Sequence, residues 1–267
     1  MNSKRNIFYP MWVVGIAVCI ILVIFSLVFV SCSGGTSEEP DDTVQTGDAA
    51  TDAVGLDDPS PAVSQYSGEE LIEKIVFLGD STTYGLKHYE LLPGGSQTTQ
   101  VWTPSSGTLA LFNQSIATIV YPETGEEISI VDAATAKKPE ILLITLGING
   151  IATMEQDYFI SEYTNLVNKI LDVSPDTKIV LNTMYPVASD YEHIREISNE
   201  KIVAGNLWIA QVAQDTGAVF LNTYEAIADA DGTLPDEYQN GDGIHLNPEG
   251  FNVVLDYIKT HADSIAA

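Results

Sequence analysis

Residues 140–146 read Glu-Ile-Leu-Leu-Ile-Thr-Leu, a nearly continuous apolar run of strand length. A run that is apolar at successive positions is typical of a strand covered on both faces, as in a parallel sheet. Similar runs at Lys74–Leu78, Lys178–Val187 and Ala218–Asn222 predict further strands, and a shorter segment around Gln100–Thr103 predicts another. The sequence therefore predicts a mostly parallel sheet of about five strands.

Helical patterns alternate with these strands. Apolar residues recur at helical spacing over Phe159–Ile170 and again over Ile194–Val212. Asn247 suits the N-cap of the last helix, and Pro248 suits its first position. This alternation predicts an α/β domain with right-handed crossovers.

A β-hairpin is predicted just before the strand at residues 140–146. Ile119–Tyr121 and Ile128–Val131 flank Pro-Glu-Thr-Gly-Glu, whose composition favours a turn. The hairpin would be an insertion between two strands of the main sheet.

Residues 1–32 predict a membrane segment. Two basic residues precede an uncharged apolar run, Met11–Val30, which at about 1.5 Å per residue is long enough to cross a hydrocarbon core of about 30 Å. The basic residues favour an orientation with the rest of the chain outside the cytoplasm. Phe29-Val30-Ser31-Cys32 resembles a bacterial lipobox, so we expect either a lipoprotein anchored through Cys32 or an uncleaved signal anchor. Either form would lie on the extracytoplasmic face of a bacterial cell membrane.

An acidic linker is predicted between this segment and the folded domain. Residues 33–66 contain eight acidic and no basic residues, a composition that cannot bury enough apolar surface to fold. Residues 67–267 then form one domain of ordinary size. Because Cys19 and Cys32 lie in or beside the membrane segment, we expect no disulfide in the domain.

The formal net charge of −26 limits the classes of partner. A chain this acidic is poorly suited to neutralising phosphates, so we expect no binding to nucleic acid; the acidity itself mainly favours solubility. His88, His193 and His261 lack the spacing of metal ligands, so no metal and no cofactor is predicted. The sequence leaves the oligomeric state open.

Two motifs far apart in the sequence carry candidate chemistry. Phe77-Leu78-Gly79-Asp80-Ser81 ends the first predicted strand, and Asp242-Gly243-Ile244-His245 precedes the last helix. Ligands of a parallel sheet bind beyond the carboxyl ends of its strands, so we expect the two motifs to meet there. Ser81 would be the nucleophile, His245 its base and Asp242 the acceptor that orients the base. Asp242 and His245 alone are also compatible with a metal site or a polar loop, and Asp80 is expected to be a structural turn acceptor.

Acyl transfer also needs fixed hydrogen-bond donors for the tetrahedral oxyanion. The Ser81 N–H and the side-chain amide of Asn149, which follows the strand at residues 140–146, are two candidates. The third would be the backbone N–H of a glycine after the second strand. We choose Gly107, with Gly95 as the alternative.

These motifs resemble those of the SGNH hydrolase superfamily, the GDSL-like esterases, over nearly all of residues 72–262. Gly79-Asp80-Ser81, Gly147-Ile148-Asn149 and Asp242-Gly243-Ile244-His245 match the first, third and last blocks of the family. The resemblance implies a flavodoxin-like three-layer α/β/α sandwich and the residue roles given above. The chain departs from the family at Gly150, where aspartate usually follows the asparagine, and its second block is poorly marked.

We therefore expect an extracytoplasmic serine esterase that hydrolyses small acyl esters through an acyl-enzyme on Ser81. O-acetyl groups on a carbohydrate or cell-envelope glycan are the preferred substrates. The alternatives are an O-acetyltransferase acting on polysaccharide with the same triad, a lipase or thioesterase, and a catalytically silent glycan-binding module. Tyr84, Trp102 and Tyr185 are candidates for lining the pocket, although aromatic residues near strand ends more often belong to the core.

Overall fold

The structure is a computed structural model that describes residues 67–266. The predicted membrane segment, the linker at residues 33–66 and Cys32 lie outside these residues and stay predictions. Within residues 67–266, no helix combines the length and the apolar character needed to cross a membrane. All of the predicted domain at 67–267 except its last residue is described.

Five strands of the described chain form one parallel sheet in the order β2-β1-β5-β6-β7, and two more form a separate antiparallel hairpin. The strands are β1 (Ile75–Gly79), β2 (Val101–Trp102), β3 (Thr118–Val120), β4 (Glu127–Ser129), β5 (Ile141–Thr145), β6 (Lys178–Asn182) and β7 (Val219–Leu221). The helices are α1 (Gly68–Lys74), α2 (Ser81–His88), α3 (Ile130–Lys137), α4 (Gln156–Val173), α5 (Asn199–Thr216), α6 (Tyr224–Ile227), α7 (Pro248–Thr260) and α8 (Ala262–Ala266).

The sheet separates two hydrophobic cores. Successive residues of a strand point to opposite faces, so Val76 and Leu142 join one core while Ile75 and Ile141 join the other. Helices α4 and α5 supply side chains to the first core, and α1 and α7 supply side chains to the second. The predicted three-layer α/β/α sandwich with a parallel five-stranded sheet is confirmed.

The predicted hairpin is confirmed as the pair β3 and β4. Its second strand is shorter than the predicted Ile128–Val131, because helix α3 begins at Ile130. The hydroxyl of Ser129 caps that helix by accepting the N–H of Asp132 at 3.0 Å. A cap at this position ends the strand one residue after Ile128.

Helix α7 begins where the sequence predicts. The side-chain oxygen of Asn247 accepts the N–H of Gly250 at 2.9 Å, and Pro248 occupies the first turn. The helix packs closely on α2, since a Cβ atom at Gly85 would lie 2.2 Å from Cε2 of Phe251. Glycine at this position therefore lets α7 support the helix that begins at Ser81.

The strand predicted at Lys178–Val187 is too long by five residues, because β6 ends at Asn182. The N–H of Thr183 still donates to the carbonyl of Leu221 in β7 at 3.1 Å, but from Met184 on a side chain of helix α5 replaces that strand as hydrogen-bond partner. The N–H of Met184 donates to Oδ1 of Asn206 at 2.8 Å, and the Met184 carbonyl accepts from Nδ2 of Asn206 at 3.1 Å. The backbone therefore leaves the sheet while its polar groups stay paired.

The helix predicted to include Ile194 and Ile197 begins only at Asn199. Both isoleucines lie in turns. Ser198 has an extended backbone, and its hydroxyl accepts an N–H from the first turn of α5. This N-cap separates the turns from the helix, so the helical spacing of the two isoleucines was misleading.

Candidate active site

Ser81 lies where strand β1 turns into helix α2. Asp80 is the N-cap of α2: its Oδ1 accepts the N–H of Thr82 at 2.9 Å and the hydroxyl of Thr82 at 2.7 Å. Gly79 allows the close approach of β5, since a Cβ atom there would lie 2.9 Å from the carbonyl oxygen of Thr145. Ser81 is therefore the first residue of α2, half-buried at the carboxyl end of the sheet.

The three residues predicted to form a triad are joined by hydrogen bonds. Oγ of Ser81 lies 2.8 Å from Nε2 of His245, and Nδ1 of His245 lies 2.7 Å from Oδ2 of Asp242. When Nδ1–H donates to Asp242, the other ring nitrogen is free to accept the hydroxyl proton of Ser81. This is the arrangement of a nucleophile, a base and an orienting carboxylate.

The carboxylate of Asp242 is fixed by its own turn. Its Oδ1 accepts the N–H of Ile244 at 3.0 Å and the N–H of His245 at 2.9 Å. Gly243 adopts a φ of +79° beside Ala188, whose N–H donates to the Gly243 carbonyl at 2.8 Å. The shape of this loop therefore sets the position of the carboxylate against the imidazole.

The pKa of Asp242 lies below its usual range. Partial burial raises the pKa, but hydrogen bonds from the backbone and ring of His245 and from the backbone of Ile244 together outweigh that effect. Asp242 is therefore ionised at neutral pH. An ionised partner stabilises the imidazolium that forms when His245 takes a proton.

Each of the predicted oxyanion donors already has an acceptor. The Ser81 N–H donates to the Gly107 carbonyl at 2.7 Å, and the Gly107 N–H donates to the Pro104 carbonyl at 3.0 Å. Nδ2 of Asn149 donates to Oδ2 of Asp80 at 2.8 Å. The two backbone groups would serve an oxyanion only after these bonds are exchanged. The amide of Asn149 carries a second N–H, which is available without any exchange.

Gly107, rather than Gly95, borders the nucleophile. A Cβ atom at Gly107 would lie 3.6 Å from Cβ of Ser81, and the φ of +75° at this position favours glycine. Gly95 lies beside Glu90 instead. The position favours Gly107 as the glycine of the site, and its role as an oxyanion donor stays a prediction.

We expect Asn149→Ala to lower kcat for an aryl acetate by about 100- to 1,000-fold, with a smaller effect on KM. The reason is that the amide would stabilise charge that develops only in the transition state. Steady-state hydrolysis is the measurement, and Asn168→Ala, an exposed position of α4, is the matched control. A loss below about tenfold would contradict a role for this amide in the oxyanion hole.

Asp80 is a fully buried carboxyl beside the nucleophile. Burial raises its pKa, against hydrogen bonds from Thr82 and Asn149 that lower it. The predicted role as a turn acceptor is confirmed by the contacts with Thr82. The bond to Asn149 adds a second role: Asp80 orients the side-chain amide of Asn149, which lies in the turn that follows strand β5.

The raised pKa of Asp80 predicts a difference in pH dependence between the protein and its Asp80→Asn variant. Below the ordinary aspartate pKa of about 3.9, this group is protonated in both the folded and unfolded states. As the pH rises further, the unfolded state ionises first and folding loses stability. The free energy of unfolding of Asp80→Asn, minus that of the wild type, should therefore increase as the pH rises above about 4. Urea unfolding at several pH values measures this difference, and a difference that stays constant with pH would contradict the prediction.

A cleft of about 420 Å³ opens beside the nucleophile and is termed the Ser81 cleft. Tyr84 lines it, whereas Trp102 and Tyr185 are buried in the core, so one of the three aromatic candidates faces the site. The lining residues come from α2, from β2 and the loop after it, and from β3: Ser81, Tyr84, Lys87, Val101, Thr103, Pro104, Ser105, Ser106, Gly107 and Val120.

A second cleft, of about 430 Å³, includes Asn149 and is termed the Asn149 cleft. Most of its lining lies between residues 104 and 118, and it shares Pro104, Ser105 and Ser106 with the Ser81 cleft. The loop of these three residues therefore borders both clefts. No group of histidine, cysteine or acidic side chains suited to holding a metal occurs in residues 67–266.

Lys87 lines the Ser81 cleft although no sequence motif includes it. Ser81, Tyr84 and Lys87 are spaced three apart on one short helix that begins at the nucleophile. Helical spacing of this kind brings side chains onto neighbouring faces. Counting along the helix from Ser81 through Tyr84, which was already a candidate, would have added Lys87 to the predicted lining.

The comparisons with known proteins agree with this geometry. Residues 77–253 match the GDSL-like Lipase/Acylhydrolase family. No curated protein matches the chain.

Several solved structures share the fold. A Streptococcus pneumonia protein described as a candidate platelet activating factor has 18% identity over 73% of this chain and 89% of its own, with a TM-score of 0.53. A candidate acylhydrolase from Bacteroides fragilis has 19% identity over 73% of this chain and 89% of its own, also with a TM-score of 0.53. A candidate SGNH hydrolase from Slackia heliotrinireducens has 17% identity over 70% of this chain and 97% of its own, with a TM-score of 0.51.

At these identities the solved structures support the fold alone. The family match is more specific, since it extends from strand β1 into helix α7 and includes Ser81, Asn149, Asp242 and His245. The chain therefore belongs to the GDSL-like lipase/acylhydrolase family of SGNH serine hydrolases.

Proposed function

We propose that the protein is an extracytoplasmic serine esterase that removes small acyl groups, chiefly O-acetyl groups, from a carbohydrate or cell-envelope glycan. One observation carries the proposal: Ser81, which is hydrogen-bonded to His245 and through it to Asp242, lines a cleft of about 420 Å³ that is rich in hydroxyl groups. A cleft of this size and polarity suits a sugar better than a fatty acyl chain.

The geometry supports a two-step mechanism. Oγ of Ser81 attacks the ester carbonyl while Nε2 of His245 takes the hydroxyl proton, and Asp242 stabilises the resulting imidazolium. The tetrahedral intermediate collapses, the alcohol leaves with the proton from His245, and the acyl group stays on Ser81. A water molecule then gives a proton to His245 and attacks the acyl carbonyl. The second tetrahedral intermediate collapses with release of the acid, and His245 returns the proton to Oγ of Ser81.

The lining of the cleft supports a short acyl group. Thr103, Ser105 and Ser106 contribute hydroxyl groups, and the aliphatic residues of the lining, Val101, Pro104 and Val120, are small. A long acyl chain would need a continuous apolar channel. The cavity beneath the site, between Asp80 and Tyr185, has a volume of about 10 Å³, which is room for about one water molecule.

The location outside the membrane rests on the sequence. The apolar run before Cys32 and the acidic linker after it support a tethered enzyme, which would meet cell-envelope glycans. Labelling of cells with a lipid precursor tests the anchor. Labelling that is lost in Cys32→Ala would support a lipoprotein, and absence of labelling in the parent would support a signal anchor.

The experiment that tests the function uses the full chain with aryl esters from acetate to palmitate and with an O-acetylated oligosaccharide. We expect kcat/KM to fall as the acyl chain lengthens, and acetate to be released from the oligosaccharide. A preference for palmitate would indicate a lipase instead. Acetyl transfer to added oligosaccharide that is faster than hydrolysis would indicate a transferase. If no ester were turned over, the protein would instead be the catalytically silent glycan-binding module.

A further inference from the structure

We propose that the Ser81 cleft binds a sugar that carries an anionic group, a carboxylate or a phosphate, with the sugar ring on Tyr84 and the anion on Lys87. This inference rests on the proposed function, because it names the kind of glycan whose ester would reach Ser81. It gives a role in substrate binding to Tyr84 and Lys87, the two residues of α2 that line the cleft and are not part of the triad.

The position of Lys87 fits an anion close to the reacting ester. Lys87 lies in the last turn of the helix that begins at Ser81, and it lines the same cleft. Six residues correspond to about 9 Å along a helix. Helical side chains tilt towards the N-terminus, so that of Lys87 extends back towards Ser81. Its ammonium would meet an anion within the span of one or two sugar rings from the ester.

The charge of Lys87 is not used elsewhere in the described chain. Lys137 pairs with Glu123 at 2.6 Å and Lys259 pairs with Glu69 at 2.9 Å, whereas Lys87 has no hydrogen-bond or ion-pair partner for its ammonium among the described residues. No acidic side chain lines the cleft, although the protein has a net charge of −26. A half-buried, unpaired cation in such a cleft attracts an anionic ligand more strongly than an exposed lysine would.

Tyr84 provides the surface for the ring of the sugar. Its side chain is 47% exposed, and its ring stacks on that of His88 with the centroids 6.2 Å apart and the planes at 28°. The aromatic face suits the apolar C–H face of a sugar. Hydroxyl groups of Thr103 and Ser106 also line the cleft and suit hydrogen bonds to sugar hydroxyls. An aromatic face, hydroxyls and one cation together match an acidic sugar.

The test compares two O-acetylated methyl glycosides that differ only in their terminal carbon, which is a carboxylate in the hexuronide and an alcohol in the hexoside. The full chain should prefer the hexuronide in kcat/KM. Lys87→Met should lower the ratio of the two values about tenfold, as expected for loss of one charged hydrogen bond. Lys87→Arg should keep most of the ratio. Lys74→Met is the matched control, since it removes a lysine that pairs with Glu140 and does not line the cleft, and should not change the ratio.

A third glycoside with a terminal phosphate separates the two anions. If the Lys87-dependent preference over the hexoside is larger for the phosphorylated glycoside than for the hexuronide, the ligand is a sugar phosphate. If it is larger for the hexuronide, the ligand is a uronic acid. The preference should also weaken as salt is raised, because the cleft is open to solvent.

A binding measurement keeps this inference separate from the proposed function. Calorimetry with the unacetylated hexuronide and hexoside measures the same preference without any turnover. Hydrolysis of an aryl acetate together with equal binding of the two glycosides would overturn the anionic subsite and leave the esterase intact. If the protein bound the hexuronide more tightly than the hexoside through Lys87 but hydrolysed no ester, the anionic subsite would be supported and the proposed esterase function would be wrong. A preference unchanged in Lys87→Met would also overturn the subsite.

Discussion

Replacement of Ser81 by alanine should lower kcat/KM for an aryl acetate by about 10,000- to 1,000,000-fold, the range that removal of a serine nucleophile causes in other triads. The hydroxyl removed is the one 2.8 Å from Nε2 of His245, and no other hydroxyl of the described chain is bonded to that nitrogen. The remaining rate would come from water activated at the same site. Hydrolysis with the full chain, at equal concentrations of folded protein, measures the effect.

The control for this experiment must show that the fold survives. Ser81 lies at the start of α2, and the helix cap is supplied by Asp80, so Ser81→Ala should unfold at nearly the same urea concentration as the wild type. Ser161→Ala, on an exposed face of α4, should retain full activity. If Ser81→Ala kept more than about a tenth of the wild-type rate, Ser81 would not be the nucleophile.

Covalent labelling gives an independent check of the same residue. An aryl fluorophosphonate reacts with an activated serine hydroxyl, so the wild type should be modified at Ser81 and Ser81→Ala should stay unmodified. Modification at Ser105 or Ser106 instead would assign the nucleophile to the loop that borders both clefts.

The convergence of the triad could be predicted because it depends on short-range rules. Strand β1 is apolar at every position before Gly79, so its end and its direction in the sheet are clear from the sequence. Asp242 and His245 are three residues apart, and one turn brings their side chains together. Both Ser81 and His245 follow strands that end at the same edge of the parallel sheet. Their side chains are therefore expected to lie close to each other.

The oxyanion donors were harder to predict because the orientation of a peptide group depends on long-range packing. The position of Gly107 beside Ser81 followed from its place after the second strand. The direction of its carbonyl, which accepts from the Ser81 N–H, is set by the turn closed by the Pro104 carbonyl. A motif identifies the glycine but does not determine which of its two polar groups faces the nucleophile.

The same distinction explains the errors in element boundaries. Ile194 and Ile197 have helical spacing, but Ser198 is the N-cap of α5, so the helix begins only at Asn199. The strand β6 ends at Asn182 because Asn206, on a helix more than twenty residues further along, pairs with both polar groups of Met184. Local periodicity contains no information about such partners.

Replacement of His245 by glutamine should lower kcat/KM for an aryl acetate by about 10,000- to 1,000,000-fold as well. Glutamine keeps a polar side chain in the loop but cannot take and return a proton at neutral pH. His245 is bonded to both Ser81 and Asp242, so its loss affects the attack, the departure of the alcohol and the activation of water. The stability should change little, because the backbone bonds from His245 and Ile244 to Asp242 do not involve the ring.

The double variant Ser81→Ala/His245→Gln distinguishes a working triad from two independent contributions. In a triad the residues act as a unit, so the double variant should be no slower than either single variant by more than about threefold. If the two residues contributed independently, the loss of rate in the double variant would be the product of the losses in the two single variants. His193→Gln, an exposed histidine paired with Glu192 at 3.8 Å, is the control and should retain full activity. If the two losses multiplied, or if His245→Gln stayed within about tenfold of the wild type, the base that serves Ser81 would have to be another group.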